Sequence, residues 1–216
     1  MNKPDNYLKV LALSLVVSLI VAVPLFAQMD KGMELYQHWE FQEAEKAFRQ
    51  ELQSNSGNFE ARCYLGQTLL MQEKFEEALG IFSTAKERAE VKSGSPVADA
   101  YHVNLSLARA QLGLKRNEEA WKSLEDAERA RPGTADVLVF RGVYHMQKQD
   151  LKKAARELEK AMEMDEENAY AHYYAGLVYL RQGHPAKAVD MLKMFLQLSP
   201  HAPEAFRAQT LITGLC

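Results

Sequence analysis

The chain has 216 residues, 47% hydrophobic and 25% charged, with a formal net charge of −3. That balance is ordinary for a globular protein with a sizeable core, and nothing in it offers an electrostatic grip on nucleic acid. Two cysteines are too few for a disulfide framework. Val and Ile are scarce beyond the first 25 residues, while Ala, Leu, Glu, Lys, Gln and Met abound. This favours helices.

The first segment differs from the rest. Residues 1–9 carry Lys3 and Lys9, and Val10 to Ala27 then run without a charge. A basic start, an apolar stretch and a small residue before a polar one read as a secretory signal over 1–27. The expected cut follows Ala27, although Leu25 is bulky for such a site. The alternative is an uncleaved anchor over residues 8–27, since eighteen uncharged residues span about 27 Å as a helix. Pro24 suits the flank of a cleavage site better than the last turn of an anchor. Either way the bulk of the chain is expected outside the cytosol, in a periplasmic or other extracytoplasmic space if the source is bacterial.

The remainder repeats itself. Ala44, Ala78, Ala120, Ala154 and Ala188 are spaced by 34, 42, 34 and 34 residues. Twelve residues before each stands a small residue: Gly32, Gly66, Ala108, Gly142, Gly176. Four residues after each stands a large apolar one: Phe48, Phe82, Leu124, Leu158, Leu192. Ala85, Ala127 and Ala161 follow three of them, and Pro132 and Pro200 close two units. Small residues at two points of a hairpin let its helices approach to about 8–10 Å. Asn58, Thr134 and Asn168 stand where first helices need caps. Gly113 and Gly183 read as ends of first helices, and Asn117 and Pro185 as starts of second ones. The longer step falls in "KERAEVKSGSPVADAY", where Ser95 and Pro96 read as cap and first helical residue. Beyond Pro200, Ala205, Phe206, Ala208, Leu211, Ile212 and Leu215 space out a lone helix covering the last hairpin.

This pattern resembles the tetratricopeptide repeat (TPR) family, whose unit is a 34-residue helix–turn–helix. The resemblance covers residues 29–202, in units 29–58, 59–92, 96–134, 135–168 and 169–202, with a capping helix over 203–216. Glu51 and Phe195 depart from the small residue expected at position 27 of the unit, and Asn117, Leu151 and Pro185 from the aromatic at 17. The resemblance implies an all-α, right-handed superhelical solenoid that works as a protein-binding scaffold.

Catalytic and metal motifs are missing from the sequence, so no cofactor and no metal is expected. None of His38, His102, His145, His172, His184 and His201 enters H-E-x-x-H or a C-x-x-C pairing. Cys63 lacks a histidine one helical turn away, which leaves a Cys63-dependent hydrolase or redox enzyme as a remote alternative.

In the resembled family the first helices line a concave groove through positions 2, 5, 9, 12 and 13. By register these are Tyr36 and Gln37, then Cys63, Gln67, Leu70 and Met71, then His102, Leu105, Arg109 and Leu112. Val139, Val143, Met146 and Gln147 follow, and last Tyr170, Tyr173, Leu177, Leu180 and Arg181. Family members that clamp a carboxylate tail need Lys and Asn at positions 5 and 9, where only Arg109 suits an anion here. The expectation is therefore an apolar groove for a partner's helix or extended peptide. Substituting Tyr173 and Leu105 is expected to weaken capture without unfolding. The reading is of an exported, non-enzymatic scaffold in envelope complex assembly, with a membrane-tethered adaptor as the alternative.

Overall fold

The computed structural model describes residues 28–87 and 98–215, every regular element among them an α-helix. The signal or anchor expected over 1–27, and the helix start expected at Ser95 and Pro96, lie outside these residues. The helices are α1 (28–37), α2 (Phe41–Ser54), α3 (Phe59–Met71), α4 (Phe75–Lys86), α5 (Ala100–Gly113) and α6 (Asn117–Ala130). They continue with α7 (Ala135–Gln147), α8 (Leu151–Met164), α9 (Ala169–Arg181), α10 (Pro185–Leu198) and α11 (Ala205–Leu215). Successive helices pack as hairpins, hairpins stack into a solenoid, and α11 lies on α10. No helix among the described residues is long and apolar enough to cross a membrane.

Each hairpin closes around one contact between its two helices. A Cβ added at Gly32 would lie 2.6 Å from the Phe48 ring, and one at Gly66 would lie 2.6 Å from the Phe82 ring. At Gly142 and Gly176 the obstacles are Leu158, at 2.7 Å, and Leu192, at 2.8 Å. The large residue of each second helix thus sits directly on the bare backbone of the first, at the register read from the sequence. Phe48, Phe82, Leu158 and Leu192 are all fully buried.

The turns between paired helices also repeat. Trp39, Glu73, Lys115, Gln149 and Gly183 each take positive φ, between 58 and 78°. In each turn this residue donates its N–H to the carbonyl three back, and the next residue donates to the carbonyl five back, as in Glu73 to Leu70 and Lys74 to Leu69. These are Schellman closures. Gly113 therefore does not make its turn. Lys115 holds the left-handed position, and Gly113 instead leaves room for the Phe75 ring, 2.6 Å from where its Cβ would be.

Capping follows the sequence with two changes. Asn58 and Asn168 accept the backbone N–H of Ala61 and Ala171. Thr134 stands at its cap position, but its hydroxyl accepts from Tyr101 Oη at 3.1 Å instead. Helix α5 is capped by Asp99, which accepts from His102 N, and it begins at Ala100. The departures at position 27 have local causes. Glu51 is buried and accepts from Asn58 Nδ2 at 2.8 Å, while Phe195 packs on Tyr173 at 4.9 Å between centroids.

Helix α11 buries Ala208 and Ile212, one turn apart, but leaves Phe206 84% exposed. Two residues from Ala208 on a helix is the opposite face, so Phe206 does not belong to the covering surface. At the other end of the chain, Trp39 packs against the cluster of Tyr173, Leu192, Phe195, Ala202, Ala208 and Ile212. The first turn of the solenoid reaches its last helices.

Candidate functional site

The first helices of the hairpins, α3, α5, α7 and α9, line the inner face in sequence. The Arg109 guanidinium of α5 reaches past α7 to lie 5.6 Å from the centroid of Tyr170 on α9. This face therefore curves inward. It holds a cavity of about 230 Å³ lined from α3, α5, α7, α9, the start of α4, two hairpin turns and the C-terminal segment.

Nine of the residues read from the register line this cavity: Leu70, Arg109, Leu112, Val143, Met146, Gln147, Tyr173, Leu177 and Arg181. Leu70, Leu112, Val143, Met146 and Tyr173 are buried, and their side chains mostly serve the core. Tyr173 is 2% exposed, so its replacement by alanine disturbs the fold as well as the groove, contrary to the expectation above. Leu105 likewise packs against Tyr101, Ala127 and Val137.

The other register residues are engaged elsewhere. Tyr36 packs edge-on against Phe41 and Tyr64, at 5.5 and 6.0 Å, and Gln37 is exposed. Gln67 donates to Ser106 Oγ at 2.6 Å. Met71 Sδ accepts from Arg109 Nη2 at 3.3 Å. His102 Nδ1 lies 2.7 Å from Asp99 Oδ1. Cys63 and Val139 are buried, and Leu180 packs against the α9–α11 cluster. Tyr170 Oη donates to Glu204 Oε2 at 3.1 Å.

Sequence register missed eight lining residues: Glu73, Phe75, Gly113, Lys115, Phe140, Tyr174, Glu204 and Arg207. Phe140 and Tyr174 occupy position 6, one residue from a position the pattern assigns to the groove. Glu204 and Arg207 lie beyond the last repeat, where no register exists. Glu73, Lys115, Arg181 and Arg207 are exposed, so the site presents charged groups beside the half-buried Phe75, Phe140, Tyr174 and Leu177.

Burial governs the protonation of the aromatic wall. It pushes the Tyr174 hydroxyl up to about 12, against the opposing Arg109 charge. It raises Tyr170 and Tyr173 as well, with Arg109 and Arg207 respectively opposing. These hydroxyls stay protonated at neutral pH. The Cys63 thiol is pushed by burial to about 12 and is free, which makes it a poor nucleophile. Among the described residues no three His, Cys, Asp or Glu side chains converge as a metal site.

A stacked set of helical hairpins with a common inner face defines a helical-repeat scaffold. The tetratricopeptide repeat family model matches residues 29–93, 105–163 and 142–203, so the chain belongs to the tetratricopeptide repeat family. A comparison with curated proteins gave no match. Among solved structures, TTC0263, a thermophilic TPR protein in Thermus thermophilus, is similar over 88% of this chain and 99% of its own, at 21% identity and a TM-score of 0.71. MamA 41-end from Desulfovibrio magneticus RS-1 is similar over 82% of this chain and 95% of its own, at 15% identity and a TM-score of 0.55. At these identities the likeness is one of fold.

Proposed function

We propose that the protein is an exported, non-enzymatic scaffold that binds an extended segment of a partner protein along its inner face, in the assembly of an envelope complex. The observation that carries this reading is the cavity shared by four first helices and the C-terminal segment. Its volume of about 230 Å³ accepts side chains but not a helix about 10–12 Å across. An extended peptide can lay its backbone over the mouth and send a side chain in. The buried Cys63 thiol favours binding over chemistry.

The test places a photo-crosslinking amino acid at Leu177, on the inner face, or at the exposed Lys122 of α6. Mass spectrometry then maps the adducts formed in the native host. One defined partner segment crosslinked from Leu177 and not from Lys122 supports the reading, whereas equal yields from both positions overturn it. Export rests on the uncharged run from Val10 to Ala27. A mature N-terminus at Gln28 supports release, and an intact Met1 in a membrane fraction supports a tethered adaptor. An intact Met1 in the cytosol overturns export.

A further inference from the structure

The inner cavity carries a charge imbalance that its own residues do not resolve. Arg109, Lys115, Arg181 and Arg207 line it, against the two carboxylates of Glu73 and Glu204. The chain as a whole is acidic, at −3, so this local excess of positive charge runs against the bulk composition. None of the four cations forms an ion pair among the described residues. Arg109 has neutral neighbours, with Met71 Sδ at 3.3 Å, the Tyr170 ring beneath it and the Tyr36 and Tyr174 hydroxyls within reach of its charge, and Arg181 Nη1 reaches the Met146 carbonyl at 3.4 Å.

A second observation points the same way. Tyr173 lines the cavity and is 2% exposed, yet its hydroxyl has no hydrogen-bond partner of good geometry. The Arg207 guanidinium lies close enough to donate weakly to that hydroxyl oxygen, which leaves the O–H proton itself without an acceptor. A buried donor left without an acceptor is costly, and a carboxylate oxygen entering the cavity would accept from it. The same oxygens would take charge-assisted hydrogen bonds from arginines that now lack an anion.

We propose that this cavity receives an aspartate or glutamate side chain of the partner peptide, held by Arg109, Arg207 and the Tyr173 hydroxyl. The proposal rests on the inner-face binding reading above and gives it a chemical preference. The site is not the family's two-position carboxylate clamp, because Arg207 comes from the capping helix and Tyr173 replaces the clamp's basic residue. A side chain fits better than a chain terminus, since the peptide backbone can continue past a cavity of about 230 Å³ on both sides.

The full chain is titrated by calorimetry with three pentapeptides. One is N-acetylated and C-amidated with a central glutamate between leucines. The second has glutamine there, and the third is the glutamine peptide with a free C-terminal carboxylate. The glutamate peptide is expected to bind at least about tenfold tighter than its amidated glutamine counterpart. Arg207→Gln, at an exposed position that the fold does not need, should remove most of that preference, as should Arg109→Gln. Glu73→Gln should increase it, a change of opposite sign that a general loss of structure cannot produce. Equal affinity for the two amidated peptides overturns the proposal, as does binding of neither, or a preference for the free terminus alone. Equal affinity that is lost in Leu177→Trp overturns the acidic preference while leaving the inner-face reading intact.

Discussion

The Phe82 ring lies against the bare backbone of Gly66, so close that a methyl there would sit 2.6 Å from Cζ. Sixteen residues separate the two, the same interval that joins Gly32 to Phe48, Gly142 to Leu158 and Gly176 to Leu192. Gly66→Ala should therefore destabilise by overpacking, by about 1–3 kcal/mol. Gly80, in the same hairpin, has nothing within 4 Å of an added Cβ. Gly80→Ala should stabilise by about 0.5–1 kcal/mol through helix propensity. Urea midpoints of the two variants should move in opposite directions; parallel shifts would contradict the packing assignment.

The left-handed turn residues offer a test of backbone strain. Gln149, which carries a side chain, adopts φ 63°, while Gly183 adopts φ 78° freely. Left-handed backbone costs a non-glycine residue about 1–2 kcal/mol. Gln149→Gly should stabilise by about 0.5–1 kcal/mol after the extra chain entropy of glycine is counted. Gly183→Ala should destabilise by about 1 kcal/mol. Thermal melts that show neither change would place the strain elsewhere.

Stability should fall steeply in alkali. Burial raises the hydroxyl pKa of Tyr36, Tyr64 and Tyr170, and takes Tyr101 and Tyr179 to about 12. Unfolded tyrosine ionises near 10. Above that value the unfolded chain loses protons that the native chain keeps, so unfolding is favoured as pH rises. The contribution is complete below about pH 9 and is lost through pH 12. Denaturant midpoints measured at pH 7, 9 and 11 should be level between the first two and lower at the third. A flat profile to pH 11 would mean these hydroxyls are not held protonated.

Cys63 should resist alkylation. Its thiol is fully buried and pushed to about 12. In a Cys216→Ser background, iodoacetamide at pH 8 should label Cys63 only at the rate of unfolding, and Cys63→Ser should leave partner binding unchanged. Rapid labelling of the folded protein would revive a reactive-thiol role.

The architecture was legible because its main contact recurs at a fixed interval. A small residue and a large one sixteen positions on, five times over, state where two helices touch. The turns were less legible: Trp39, Glu73, Lys115 and Gln149 occupy left-handed positions that carry no glycine to mark them. The site was legible in part. Arg109, Leu177 and Arg181 line the cavity as their register implies. Which side chains meet across the inner face depends on how far the superhelix curls, and that angle accumulates over many packing contacts. Glu73, Glu204 and Arg207 come together through this curl alone. Other apolar register residues, such as Val139 and Cys63, are buried in the core and do not line the cavity.

Trp39 touches the last helices of the chain, and this changes how the molecule should come apart. An open solenoid frays from its ends, because each terminal unit has a single neighbour. Here the Trp39 side chain of the first turn rests on the last helices, so opening either end breaks that contact. Such a long-range contact raises the loop-closure cost of folding and slows it. It should also make the terminal helices exchange their amide hydrogens almost as slowly as the central ones. Trp39→Ala should speed exchange in α1 and α11 together; acceleration in α1 alone would show that the two ends open independently.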